Sequence, residues 1–340
     1  MSLFYIKDKR RNIVPVDDFE LDKKAKEILE DIRKNHFDNI PKYYKDNWDK
    51  VKLYSPSWDI EKANAILINP EEWAYDLWNK LNDLNWKVRT KFTCSWFIFN
   101  ALASDLKEEK EISADSELHP ATFSPTMISD FIKFFTKEWE RVLDPFAWIW
   151  STLVGCKRTW RIGYWTELNQ TYFNVMLKRV PEFKDNIYNV DCREIKKLNL
   201  PEIDFSISSP PYRDVLNRST DHFKQEREKK WFDSNYWESD LDLWNIDDYD
   251  RFVEELCSIY RDIYTVLRKG AYIVIIVKNV KKWWRLYPLA WDIARELWKL
   301  YVLKDEKLWI QDKIWLSPYW YPSAWASNIL HHYCIILRKE

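Results

Sequence analysis

Ala271–Val277 is an almost purely apolar, β-branched run, the pattern of a central parallel strand buried on both faces. Shorter runs with strand character precede it at Arg141–Phe146, Arg161–Glu167, Asn186–Val190 and Ile203–Ser208. Leu303–Ile310 and Tyr333–Arg338 follow as two more. Apolar residues recur at helical spacing in Met127–Thr136, Tyr249–Leu267 and Leu286–Leu300. Strands and helices therefore alternate from about residue 116 to the end, which predicts a mostly parallel sheet with helices on both faces. The ligands of such a sheet lie at the carboxyl ends of its strands, near the point where strand order reverses. Upstream the pattern is weaker, with helices predicted over Asp22–Lys34 and Glu71–Leu84. The polar run Lys107–Ser116 reads as a linker. It divides an N-terminal region, 1–115, from a larger domain, 116–340.

Composition changes this picture in one respect. The chain of 340 residues has 22 Trp and only 3 Gly, where glycine ordinarily makes up ~7% of a protein. Several Trp stand where a turn or helix end calls for a positive φ, as in Ser57-Trp58-Asp59, Asn85-Trp86-Lys87 and Lys282-Trp283-Trp284-Arg285. Glycine is the default residue there because it lacks Cβ. Most of these Trp are thus expected to occupy glycine positions. The net charge of −1 argues against a tail-driven polyanion binder but allows a local basic cleft. The five cysteines, Cys94, Cys156, Cys192, Cys257 and Cys334, are scattered without a paired spacing. They read as reduced thiols of a cytoplasmic protein, neither a disulfide framework nor metal ligands. No run has the length of a membrane span, and no metal or membrane partner is expected.

The chemistry concentrates at Ser209-Pro210-Pro211-Tyr212, directly after the strand Ile203–Ser208. Proline fixes φ and lacks an N–H, so this turn is stiff and its carbonyls are free acceptors. An aromatic beside them offers a face for stacking. The set suits holding a planar base by its exocyclic amine, and it resembles motif IV of the DNA amino-methyltransferases. The resemblance extends from about His119 to the C-terminus. Asp144-Pro145-Phe146-Ala147-Trp148-Ile149-Trp150-Ser151 resembles the Asp-Pro-Phe-x-Gly-x-Gly-[Ser/Thr] cofactor loop of S-adenosylmethionine-dependent methyltransferases, with Trp148 and Trp150 at its two glycines. His119-Pro120-Ala121-Thr122-Phe123 resembles the segment that covers the cofactor in these enzymes.

The resemblance implies a Rossmann-like methyltransferase sheet with a closing antiparallel strand. It implies cofactor contacts from Phe123, Asp144, Pro145, Phe146, Ala147, Trp148 and Trp150. Glu167 would take the ribose hydroxyls, and Asp191, followed by Cys192, the adenine amine. Ser209 and Pro210 would align the target amine, with Pro211 stiffening the shelf and Tyr212 stacking on the base. No cysteine lies in this motif, which argues against covalent carbon-5 methylation. Serine at the first position points to cytosine N4, with adenine N6 the alternative. Residues 213–245, carrying Arg218, His222, Lys224, Arg227, Lys229 and Lys230, read either as a target-recognition insertion or as a solvated surface loop. Lys278, Lys281, Lys282 and Arg285 are candidate contacts to DNA phosphates, or solvated residues after a strand. His331 and His332 read as structural. Double-stranded DNA is the implied partner and a cognate restriction endonuclease a further one. If the indoles of Trp148 and Trp150 obstruct the cofactor pocket, the chain is instead a DNA-binding scaffold.

Overall fold

The computed structural model describes residues 2–8, 13–36, 45, 47–55, 58–69, 73–76, 81–84, 86–100, 123–146, 151–211, 243, 246, 248–282, 285–312, 316 and 327–340. Two compact units divide the chain. One comprises Met1–Thr93 with Lys133–Glu138, the other Cys94–Ile132 with Trp139–Glu340.

The first unit holds a five-stranded sheet. Its strands are β1 (Phe4–Lys7), β2 (Ile13–Pro15), β3 (Val51–Ser55), β4 (Asn64–Asn69) and β5 (Trp73–Asp76), in the order β2-β1-β3-β4-β5. Helix α1 (Phe19–His36) buries Ala25, Leu29 and Ile32 with Phe4, Ile6, Val51 and Leu53 of the sheet. The helix predicted over Glu71–Leu84 is not formed at Trp73–Asp76. That stretch pairs antiparallel with β4, Asn69 opposite Trp73, and the pairing satisfies a backbone that a local pattern had read as helical. Helix α2 (Trp86–Phe92) follows.

The second unit is built on an eight-stranded sheet. Its strands are β6 (Trp96–Ile98), β7 (Arg141–Asp144), β8 (Ile162–Thr166), β9 (Ile187–Tyr188), β10 (Ile203–Ser208), β11 (Leu267–Val277), β14 (Val302–Ile310) and β15 (His331–Arg338), with a separate small hairpin of β12 (Val280–Lys282) and β13 (Arg285–Tyr287). The order is β6-β14-β15-β11-β10-β7-β8-β9. The neighbours β11-β10-β7-β8-β9 are mutually parallel, and β15 runs antiparallel between β11 and β14. This is the doubly wound, Rossmann-like sheet with an antiparallel closing strand expected from the sequence. Trp96–Ile98, within the stretch read as the N-terminal region, adds to its edge parallel to β14.

Helices α3 (Pro125–Phe135), α4 (Ser151–Thr159), α5 (Gln170–Arg179), α6 (Tyr249–Val266) and α7 (Leu289–Leu297) connect the strands. Asp248 caps α6 by accepting from Arg251 N at 2.7 Å. The helix then buries Phe252, Val253, Leu256, Cys257, Ile259, Tyr260 and Ile263, a single helical stripe. Each large apolar side chain so buried contributes ~1.5–3 kcal/mol. The stripe packs with Leu143, Ile273, Ile275 and Val277 on one face of the sheet, together with Leu289, Ile293 and Leu297 of α7. Val142, Phe205, Ile207, Val274 and Ile276, of opposite parity, are buried too, so both faces are covered. At Gly270, φ is +83°, and its N–H reaches Lys339 O at 2.8 Å, which lets the long strand β11 follow its neighbours past an irregular register.

Among the described residues, the non-glycine positions with positive φ are all Trp: Trp58 (64°), Trp139 (67°) and Trp160 (59°). All three are exposed. Trp58 is one of the positions singled out from sequence, whereas Trp86 opens α2, and Trp283 and Trp284 lie outside the described residues. No described helix is long and apolar enough to cross a membrane.

Candidate active site

The parallel register brings the carboxyl ends of β7, β8, β9, β10 and β11 to one edge of the sheet. Strand order reverses between β7 and β10, the position at which open α/β sheets hold their ligands. Asp144 ends β7 on one side of that point, and Ser209 follows β10 on the other. Glu167 follows β8, and Asp191 follows β9.

Asp144 is buried. One carboxyl oxygen accepts from Phe146 N at 3.0 Å, the other from Thr152 Oγ1 at 2.6 Å. Burial pushes its pKa up to about 7, against the lowering effect of those two hydrogen bonds. Pro145 O accepts from Thr166 Oγ1 at 2.8 Å, which ties the turn after β7 to the end of β8. Ser151, at the start of α4, donates to Phe123 O at 2.5 Å and so anchors Phe123 beside the same turn. Glu167 is buried, and its Oε1 accepts from Asn169 N at 2.8 Å. Asp191 accepts from Arg193 N at 2.9 Å and from the Arg193 guanidinium through Nε at 3.0 Å and the terminal nitrogen at 2.5 Å. The carboxylate is thereby committed in part to its own neighbour, and it retains lone pairs for a further donor. Burial pushes the Cys192 thiol well up, with Asp191 adding to the effect, so it stays protonated.

Ser209, Pro210 and Pro211 are buried at the end of β10. Ser208, just before them, sits 2.9 Å from the Tyr260 hydroxyl of α6. Tyr212, Ala147, Trp148, Trp150, His119–Thr122 and nearly all of 213–245 lie outside the described residues, as does the Lys282 side chain.

Three of the four candidate phosphate contacts have described side chains. Lys281 Nζ donates to Ser327 O at 2.5 Å and to Ser327 Oγ at 3.1 Å. Arg285 lies over the Tyr287 ring, 5.3 Å from its centroid. Lys278 stands close enough to His331 and His332 to hold both imidazoles below their ordinary pKa, after the larger effect of burial. His332 is buried and stacks on Trp309 at 4.4 Å, and Phe123 meets both rings edge-on at 5.2 and 6.2 Å. Its pKa falls to about 3, so the imidazole is neutral. Among the described residues, no group of three His, Cys, Asp or Glu could hold a metal ion.

Phe123 was expected at the cofactor, but its packing with Trp309 and His332, the pairing of Thr152 with Asp144 and the meeting of Tyr260 with Ser208 are not legible in the sequence. The helical stripe of α6 marks Tyr260 as inward-facing, but its polar partner lies 52 positions away.

No family model and no curated protein matches the sequence. Among solved structures, the chain is similar to TrmN from Thermus thermophilus, at 12% identity and a TM-score of 0.41, over 64% of this chain and 48% of that one. It is similar to TTHA0409, also from Thermus thermophilus, a candidate DNA modification methylase complexed with S-adenosyl-L-methionine, at 22% identity and 0.30, over 44% and 53%. SMU.1697c from Streptococcus mutans, a candidate methyltransferase in complex with SAH, gives 11% and 0.37, over 64% and 99%. The chain spans about half the length of TrmN and TTHA0409. None of the three reaches a TM-score of 0.5, so the fold rests on the strand order and register described above.

Proposed function

We propose that the chain transfers a methyl group from S-adenosylmethionine to the exocyclic amine of a base in double-stranded DNA, with cytosine N4 preferred over adenine N6. One observation carries the reading. The acid of the cofactor loop and the Ser-Pro-Pro shelf end adjacent parallel strands at the reversal of strand order.

The donor set fits the cofactor. Asp144, Glu167 and Asp191 succeed one another at three neighbouring strand ends. Acceptors there suit an ammonium, a pair of ribose hydroxyls and an adenine amine. The bound cofactor supplies an electrophilic methyl on a sulfonium.

Every other part falls to the chain. The amine of cytosine is a poor nucleophile because its lone pair is delocalised into the ring. Ser209 Oγ and Pro210 O accept hydrogen bonds from its two N–H groups and favour a pyramidal nitrogen with the lone pair directed outward, and one of those protons is released to solvent once the nitrogen carries the methyl. This is catalysis by positioning and electrostatics. A base inside a duplex is out of reach, so it must be flipped onto the shelf, where Tyr212 stacks on it.

The test begins with calorimetric titration of S-adenosylmethionine into the chain and into W148G/W150G. Duplex DNA is then methylated, and its nucleosides are analysed by mass. Binding by either protein with N4-methylcytosine formed supports the reading, and N6-methyladenine transfers it to the alternative base. Absence of binding by both folded proteins refutes it. Binding by the glycine variant alone assigns the obstruction to the indoles.

A further inference from the structure

One buried polar group beside the site has no part in the chemistry above. Tyr260 is fully buried on α6, with its hydroxyl 2.9 Å from Ser208 Oγ. Its ring stands edge-on to Phe146, with centroids 6.2 Å apart. Its backbone carbonyl accepts from Tyr301 Oη at 2.7 Å, which fixes the turn of α6 that carries it. Asp144 and Cys192 both lie within electrostatic reach of its hydroxyl. A single side chain thus touches the loop after β7 and the strand that ends in the shelf.

Ser208 is the last residue of β10, and side chains alternate along a strand. Holding Ser208 against α6 therefore sets the direction in which Ser209 and Pro210 leave the sheet. We propose that Tyr260 is a positioning residue for methyl transfer: its hydroxyl orients the shelf through Ser208 while its ring backs the cofactor loop at Phe146. This rests on the function proposed above. Burial keeps the phenol protonated throughout the working pH range, so its role is geometric and not that of a base.

The test uses the full chain and the variants Y260F, S208A and Y260F/S208A. Single-turnover transfer to duplex DNA is measured at saturating S-adenosylmethionine, and cofactor Kd by calorimetry. Small displacements of reacting groups carry large rate penalties, and Y260F is expected to slow transfer about tenfold with cofactor Kd within about twofold. S208A should do the same, and the double variant should fall no further than either single one, because the two hydroxyls act as a unit. A parent-like rate in Y260F, or losses that multiply in the double variant, overturns the proposal. A purely structural role would lower the urea midpoint and leave the transfer rate of the folded protein unchanged. Should Y260F fail to fold, S208A, which removes one oxygen, decides the question by its rate. A parent chain and a W148G/W150G chain that both transfer nothing overturn the function and this proposal together. A parent that transfers, with unaffected variants, overturns this proposal alone.

Discussion

Replacing Trp160 by glycine should stabilise the protein. Trp160 directly follows α4, with φ at +59°. Arg161 N donates to Cys156 O at 3.0 Å and Trp160 N to Lys157 O at 3.4 Å, the hydrogen-bond pair of a Schellman helix end. The left-handed position of that motif normally belongs to glycine. A residue with Cβ there costs ~1–2 kcal/mol. Glycine returns ~0.5–1 kcal/mol of this through the greater freedom of its unfolded chain. The indole is 64% exposed, and its neighbour Trp139 is tilted at 6.1 Å, so little burial is lost. The net gain expected is ~0.5–1 kcal/mol. It would be read as a higher urea midpoint by far-ultraviolet circular dichroism, with the slope unchanged. Trp298 supplies the control. It is 63% exposed at the end of α7, but its φ is −63°. Trp298→Gly has no strain to relieve and should lower the midpoint. If both variants lower it equally, backbone strain is not what distinguishes Trp160, and the argument that these Trp occupy glycine positions loses its physical basis.

Gly163→Ala should destabilise by ~1–3 kcal/mol or more, because its Cβ would stand 1.8 Å from the buried indole of Trp165, which has no room to yield; the urea midpoint measures it. Asp144 is protonated in the folded protein up to about pH 7, whereas an ordinary Asp ionises near ~4. The folded state then holds the extra proton, so the contribution of Asp144 to stability is full below pH ~4 and lost as pH rises toward 7. Comparison with Asp144→Asn across that window isolates it, and parallel pH profiles would contradict the burial argument. On the function proposed, the Asp144 carboxylate holds the cofactor's ammonium, and cofactor affinity should then climb through the same range in calorimetric titrations. Thr152→Val removes a hydrogen bond that lowers this pKa, so the midpoint of that climb should move to higher pH.

Much of the larger sheet was legible in the amino-acid sequence because its strands are short apolar runs bounded by polar or proline residues. Ile203–Ser208 forms over its predicted length, closed by Ser209 and two prolines that cannot continue a ladder. The order of acids along the chain likewise follows from the resemblance, since each stands where an apolar run stops. Periodicity cannot say which strands meet. That β15 enters between β11 and β14, that Trp96–Ile98 extends the edge, and that Trp73–Asp76 pairs as a strand were decided by tertiary contacts. The titration of Asp144 was decided the same way, because burial by distant segments governs it. So was the meeting of Tyr260 with Ser208, since α6 and β10 are brought together only by packing of the sheet face. Local sequence determines where an element begins and which of its faces is apolar. Which polar groups then share a dry interior depends on segments far apart in the chain, and only the assembled fold sets those distances.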